Sequence, residues 1–154
     1  MVHSSTVLRS SQVVGVLAEN IVRTVALGYV GRAEMFFQVA DGLGLDLSDF
    51  KVPTKYGLYS FDLIKWADNK VRDNRRRASR KYGLDRHISG LQWLDVCSRN
   101  SWACVFCGSY EGKALTMEHI VSMSDGGSNS VENITCSCSQ CNNARDRAAR
   151  VGVV

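Results

Sequence analysis

The chain has 154 residues, about one domain's worth, so a core domain plus a smaller module is the most it supports. Hydrophobic residues at 45% and charged residues at 22% are ordinary globular values, which exclude a wholly disordered chain and permit a sizeable core. The net charge of +4 is concentrated, because residues 61 to 100 hold ten basic against five acidic side chains while the flanking stretches are close to neutral.

Residues 1 to 8 read as a loose tail. Val14, Leu17, Ile21 and Val25 then recur at helical spacing and predict an amphipathic helix to about Leu27, ended by Gly28 and Gly31. A second helical pattern runs from Ala33 to Val39 and stops at Asp41-Gly42. Residues 41 to 59, with several glycines and the only proline, read as a turn-rich connection and the module boundary. From Ser60 a long helix is predicted by Phe61, Ile64, Ala67, Val71 and Ala78, with Gly83 closing it. The run from Lys65 to Arg86 along this helix holds nine Lys or Arg against Asp68, Asp73 and Asp85. Clustered cations on one helix suit phosphate neutralisation, so Arg75, Arg76, Arg77, Arg80 and Lys81 are candidate contacts to a nucleic-acid backbone; a merely solvated helix face is the bland alternative.

Ser89-Gly90-Leu91-Gln92 fits a capping box that opens a helix from Gly90 to about Asn100. Its Leu91, Trp93, Leu94, Val96 and Cys97 are expected to pack against the following module, with Cys97 a core residue and Trp66, Trp93 and Trp102 core or interface anchors. Beyond Ala103 the pattern turns short and extended, with Ala114 to Met117 as a strand candidate, and after Asn133 the chain turns helical through Asn142 to Arg150. His3 and His87 read as structural or solvent-exposed. No run approaches the roughly 20 apolar residues that span a bilayer. The short apolar stretch from Val13 to Ala18 is broken by Glu19-Asn20, which argues against a signal peptide, so a soluble, cytoplasmic protein is expected, with no membrane partner.

Six cysteines without a secretory signal argue against a disulfide framework. Cys104-x2-Cys107 and Cys138-x2-Cys141 instead suit two tight turns that present four thiolates to one zinc ion, a closed structural site. Cys136, two residues ahead of Cys138, competes for the register, but only Cys138 gives the standard spacing. Between the pairs lie Glu118-His119, Gly126-Gly127 and Asn133, with Asn142 directly after Cys141. Metal-assisted phosphodiester cleavage needs a base and hard oxygen ligands for a hydrated cation such as Mg2+, and His119, Glu118 and Asn142 supply those chemistries. The all-sulfur site leaves no open position for water or substrate, so two distinct metals are implied.

Through Cys104-Val105-Phe106-Cys107-Gly108, Met117-Glu118-His119-Ile120-Val121, Gly126-Gly127, Glu132-Asn133-Ile134 and Cys138-Ser139-Gln140-Cys141-Asn142-Asn143, the chain resembles the HNH endonuclease family over about residues 90 to 150. The resemblance implies an α+β, mostly α protein. A helical N-terminal extension (1–59) and a basic helix (60–88) would precede a ββα-metal nuclease module (89–154) with a structural zinc. It also implies that His119 is the general base, that Glu118 and Asn142 hold a catalytic Mg2+ or Mn2+, that Asn133 holds the loop and orients His119, and that Arg145 touches phosphate. Glu118 stands where Asp is commoner and Arg145 where lysine is. Asn143 is a rival to Asn142, but points about 100° away around a helix. The implied function is hydrolysis of DNA phosphodiester bonds, with double-stranded DNA as partner and a homodimer through the N-terminal helices as an option. Two alternatives stand beside it: a non-catalytic zinc-stapled module that binds nucleic acid, and a protein-interaction domain whose working part is residues 1 to 60.

Overall fold

The computed structural model describes residues 10 to 150, with side chains to residue 145, and the tail expected over residues 1 to 8 lies outside the described residues. The fold is mostly helical, with two small antiparallel strand pairs, and the chain divides into two compact units, Met1–Lys65 and Trp66–Val154.

In the first unit, helix α1 (Ser10–Ala26) buries Leu17, Ile21 and Val25 against helix α2 (Val30–Gly42), which buries Val30, Ala33 and Ala40. The break between them is shorter than the glycine pattern suggested. Gly28 alone takes the left-handed turn, at φ +80°, while Gly31 lies inside α2. Residues 41 to 59 are not all connection: β1 (Lys51–Thr54) and β2 (Gly57–Ser60) form a hairpin that pairs Val52 with Tyr59. Its turn carries no Asn-Gly signature. Thr54 Oγ1 instead accepts from Tyr56 N (3.1 Å) and donates to the Gly57 carbonyl (2.9 Å), a side-chain device that composition conceals. Phe37 stacks on Phe61 with ring centroids 4.5 Å apart.

Helix α3 (Phe61–Tyr82) begins in the first unit and continues into the second, with Ile64, Ala67, Val71 and Ala78 buried and Arg75, Arg76, Arg77, Arg80 and Lys81 exposed. Helix α4 (Gly90–Arg99) opens on the predicted capping box: Gln92 N donates to Ser89 Oγ (3.2 Å) and Ser89 N to Gln92 Oε1 (2.8 Å). Trp93, Leu94, Val96 and Cys97 are all buried. Trp102, half-buried in a left-handed conformation together with Ser101, sets its ring 5.9 Å from that of Trp66. The remainder is two strands and a helix, and the segment directly after Asn133 is a strand rather than the expected helix, because Ile134 to Ser137 pair with Thr116 to His119. Antiparallel β3 (Thr116–His119) and β4 (Ile134–Ser137) pair Glu118 with Thr135 and His119 with Ile134; α4 packs on β4, and α5 (Ser139–Arg150) packs on β3.

Gly90 marks a close approach of α4 to α3, since a Cβ there would lie 2.8 Å from the Asp68 backbone nitrogen and 3.0 Å from its Cα. Gly15, inside α1, has nothing within 4 Å of its Cβ position. Opposite signs are therefore expected in urea unfolding. Gly90→Ala should destabilise by about 1–3 kcal/mol through backbone overlap. Gly15→Ala should stabilise by about 0.5–1 kcal/mol by relieving the entropic cost of a mid-helix glycine.

Candidate active site and metal centre

The two Cys-x2-Cys turns meet. The Sγ atoms of Cys104, Cys107, Cys138 and Cys141 all lie within 4.8 Å of one another, and those of Cys107 and Cys138 are 3.8 Å apart. A tetrahedron with Zn–S arms of about 2.3 Å has edges of about 3.8 Å, so the cluster fits a zinc site. The first turn is tied to the sheet by Val105 N, which donates to the Cys136 carbonyl (3.1 Å), and closed by Gly108 N on the Cys104 carbonyl (2.8 Å). The second turn is the start of α5, where Cys141 N points at Cys138 Sγ (3.4 Å). Burial pushes the Cys104 thiol up, but backbone N–H groups of Cys138, Cys107 and Phe106 outweigh it and bring the thiol down to about 6. Cys141 is pushed up to about 12, first by its bond to Cys138. Adjacent thiolates cannot all ionise without a cation, and a dication would displace the remaining protons. All six cysteines are free, and Cys136 and Cys97 are buried apart from the tetrad, Cys136 Sγ donating to the Ala103 carbonyl (3.3 Å).

The β3–β4 pair displays Glu118 and His119 on successive positions. Glu118 is 8% exposed, and its Oε1 lies 3.3 Å from Arg145 Nη1. Arg145 in turn sets its guanidinium 4.6 Å from the centroid of the Phe106 ring in the first cysteine turn. Asn142, one helical turn before Arg145, donates from Nδ2 to Thr116 Oγ1 (3.0 Å) and to the Met117 carbonyl (3.3 Å), which directs its carbonyl oxygen away from the strand. A cleft of about 370 Å3 runs past Asn142, between Lys70, Asp73, Asn74 and Arg77 of α3, Thr116 and Met117 of β3, and Ser139 and Asn143 of α5.

Asn133 braces the loop between the strands. Its Oδ1 accepts from Val121 N (2.8 Å), and its Nδ2 donates to the carbonyls of Val121 (2.9 Å) and Ser128 (2.7 Å). Gly127 closes the same loop because a Cβ there would fall 1.9 Å from the Val121 carbonyl oxygen. The hydrogen-bond partner of His119 is Asn129, whose Oδ1 lies 3.0 Å from Nε2. Asn129 is 1% exposed, and its Nδ2 donates to Nδ1 of His87 (3.2 Å). Neither Asn129 nor His87 carried a signal in the sequence, where one lies in a serine-rich loop and the other stands alone. Burial lowers the pKa of His119, opposed by the Asn129 bond and assisted by the Arg77 charge. His87 is lowered by burial and by Arg75, against Asp85. Both shifts favour the neutral imidazole.

Two short antiparallel strands, a helix across them and a four-sulfur cluster define a ββα-metal module. Residues 104–147 match the HNH endonuclease family model, which places an HNH segment at this module. The match takes in all four clustered cysteines together with Glu118, His119, Asn133, Asn142 and Arg145, whereas the basic helix and His87 lie before it. No curated protein matches the chain.

Structural zinc binding contributes on the order of 10 kcal/mol to folding in small modules. The purified chain should carry one zinc per molecule by elemental analysis. Cys104→Ser or Cys138→Ser should lose it, together with the near-ultraviolet dichroism of the buried Trp93. Cys136→Ala and Cys97→Ala should keep the metal.

Proposed function

We propose that the protein is a metal-dependent DNA endonuclease that hydrolyses phosphodiester bonds, with His119 as general base. The observation that carries this reading is the state of His119. It is a half-buried imidazole held neutral, tethered at Nε2 and standing next in chain to a buried carboxylate. Because Asn129 Oδ1 only accepts, Nε2 bears the proton and the lone pair is on Nδ1. Nδ1 takes a proton from water as the water oxygen bonds to phosphorus. The bond to the 3′ oxygen breaks, and that oxygen leaves with a proton from solvent, giving a 5′-phosphate and a 3′-hydroxyl.

The donors that would hold the catalytic ion are the Glu118 carboxylate and the Asn142 amide oxygen, a set that suits Mg2+ or Mn2+, which keep several waters and few protein ligands. When bound, such an ion stabilises charge on the phosphate and on the leaving oxygen. Arg75, Arg76, Arg77, Arg80 and Lys81 supply the field that holds the polyanion. Arg77 borders the cleft beside Asn142 and acts electrostatically on His119, which makes it the member of the run nearest the chemistry. Double-stranded DNA is the substrate that a basic helix tracking phosphates suits best. One site cuts one strand, so a double-strand break needs a second copy, and the exposed Val16, Leu27, Tyr29, Met35 and Val39 of the first unit are where it would pack. No helix among the described residues is long and apolar enough to cross a membrane.

With Mg2+ or Mn2+, the zinc-loaded chain should nick supercoiled plasmid, and His119→Ala should slow nicking by about 10²–10⁴-fold, the usual contribution of a general base. Equal nicking by the two proteins would remove His119 as the base. Retarded DNA with no nicking by either would favour the non-catalytic binding module. Arg76→Ala and Arg80→Ala should each weaken DNA binding without changing sequence preference, and each should lower the slope of log affinity against log salt by about 1.

A further inference from the structure

The buried Asn129 amide links two imidazoles that are 32 positions apart in the chain, His119 on β3 and His87 in the segment between α3 and α4. An amide has a donor end and an acceptor end of nearly the same shape, so its orientation is set by its neighbours alone. Here Oδ1 faces Nε2 of His119 at 3.0 Å and Nδ2 faces Nδ1 of His87 at 3.2 Å. With the amide this way round, Nε2 of His119 must donate and Nδ1 of His87 must accept. Turned over, the amide would present Nδ2 to Nε2 of His119 and favour the tautomer protonated on Nδ1, which has no lone pair there to accept a proton from water. The backbone beside Asn129 is already held, because the Ser128 carbonyl accepts from Asn133. What remains to be chosen is the sense of the amide, and at its far end stands His87 Nδ1, an acceptor when the His87 proton is on Nε2.

We propose that His87 is a positioning residue for the reaction: protonated on Nε2, it offers Nδ1 as the acceptor that fixes the sense of the Asn129 amide and thereby the tautomer of His119 that leaves Nδ1 free as a base. This rests on the reading of His119 as the general base. It extends the functional unit beyond the HNH segment, since His87 precedes residues 104–147.

The tautomer can be observed without any cleavage. In the zinc-loaded, 15N-labelled chain, the ring-nitrogen resonances of His119 should show a protonated Nε2 and a bare Nδ1; a proton on Nδ1 in the wild type overturns the proposal outright. His87→Ala should shift His119 toward the other tautomer and lower kcat at least about tenfold with KM little changed, as expected when a catalytic imidazole is held in the wrong tautomer. His87→Gln, which retains an acceptor, should restore both. Asn129→Asp offers Nε2 an acceptor whatever His87 does, so adding His87→Ala to it should leave the tautomer unmoved. An unchanged His119 tautomer in His87→Ala sinks the relay even if cleavage falls. A changed tautomer with undiminished cleavage sinks the role of His87 in the reaction. If His119→Ala then also cleaves normally, the general-base reading fails with it.

Discussion

Four sulfurs gathered within 4.8 Å of one another hold the second unit in register, because the elements they join are individually too small to persist. Two strands of four residues form a hairpin that is marginal in water, and α5 has few apolar side chains with which to hold itself on the sheet. A zinc-sized cluster converts that weak unit into a fixed one, because it joins the turn before β3 to the first turn of α5. The backbone prepares for it: Val105 N reaches the Cys136 carbonyl, and amides around Cys104 favour its thiolate.

Once α5 is anchored, helical geometry dictates what it offers to β3. Asn142 follows the last cysteine and meets Thr116 and the Met117 carbonyl; Arg145, three residues on, meets Glu118. Arg145 is also stacked on Phe106, so the first cysteine turn, the helix and the strand carboxylate form one connected contact. Neighbouring His119 is governed differently. Its environment is the loop braced by Asn133 and closed at Gly127, and the outcome there is a neutral imidazole. Adjacent strand residues thus sit in different electrostatic settings, a carboxylate paired with a guanidinium and an imidazole whose pKa burial lowers.

The basic helix α3 bridges charge and chemistry. Its Arg77 lines the cleft with Asn142 and acts on His119, and its Arg75 acts on His87, so the cationic helix lowers both imidazole pKa values, with burial the larger cause in each case.

Short-range patterns were enough to foresee much of this molecule. The cysteine spacing points to the tetrad and to the exclusion of Cys97 and Cys136; apolar periodicity gives α1, α3 and α4; Ser89 and Gln92 give the start of α4; Glu118-His119 with Asn133 and Asn142 gives the HNH segment. Each is encoded within a few residues, where helix period, turn geometry and ligand spacing act locally. The β1–β2 hairpin was hidden because Thr54 makes its turn with a side chain rather than with a recognisable dipeptide. Arg145 reached Glu118, and Asn129 reached both His119 and His87, only once loop closure brought distant positions together. The sequence by itself thus determined the four-cysteine cluster, most of the helices and the type of module. Tertiary structure alone decided which polar group faces the imidazole and which cation faces the carboxylate, since hydrogen-bond partners across a fold depend on where separate segments come to rest and leave no periodic trace along the chain.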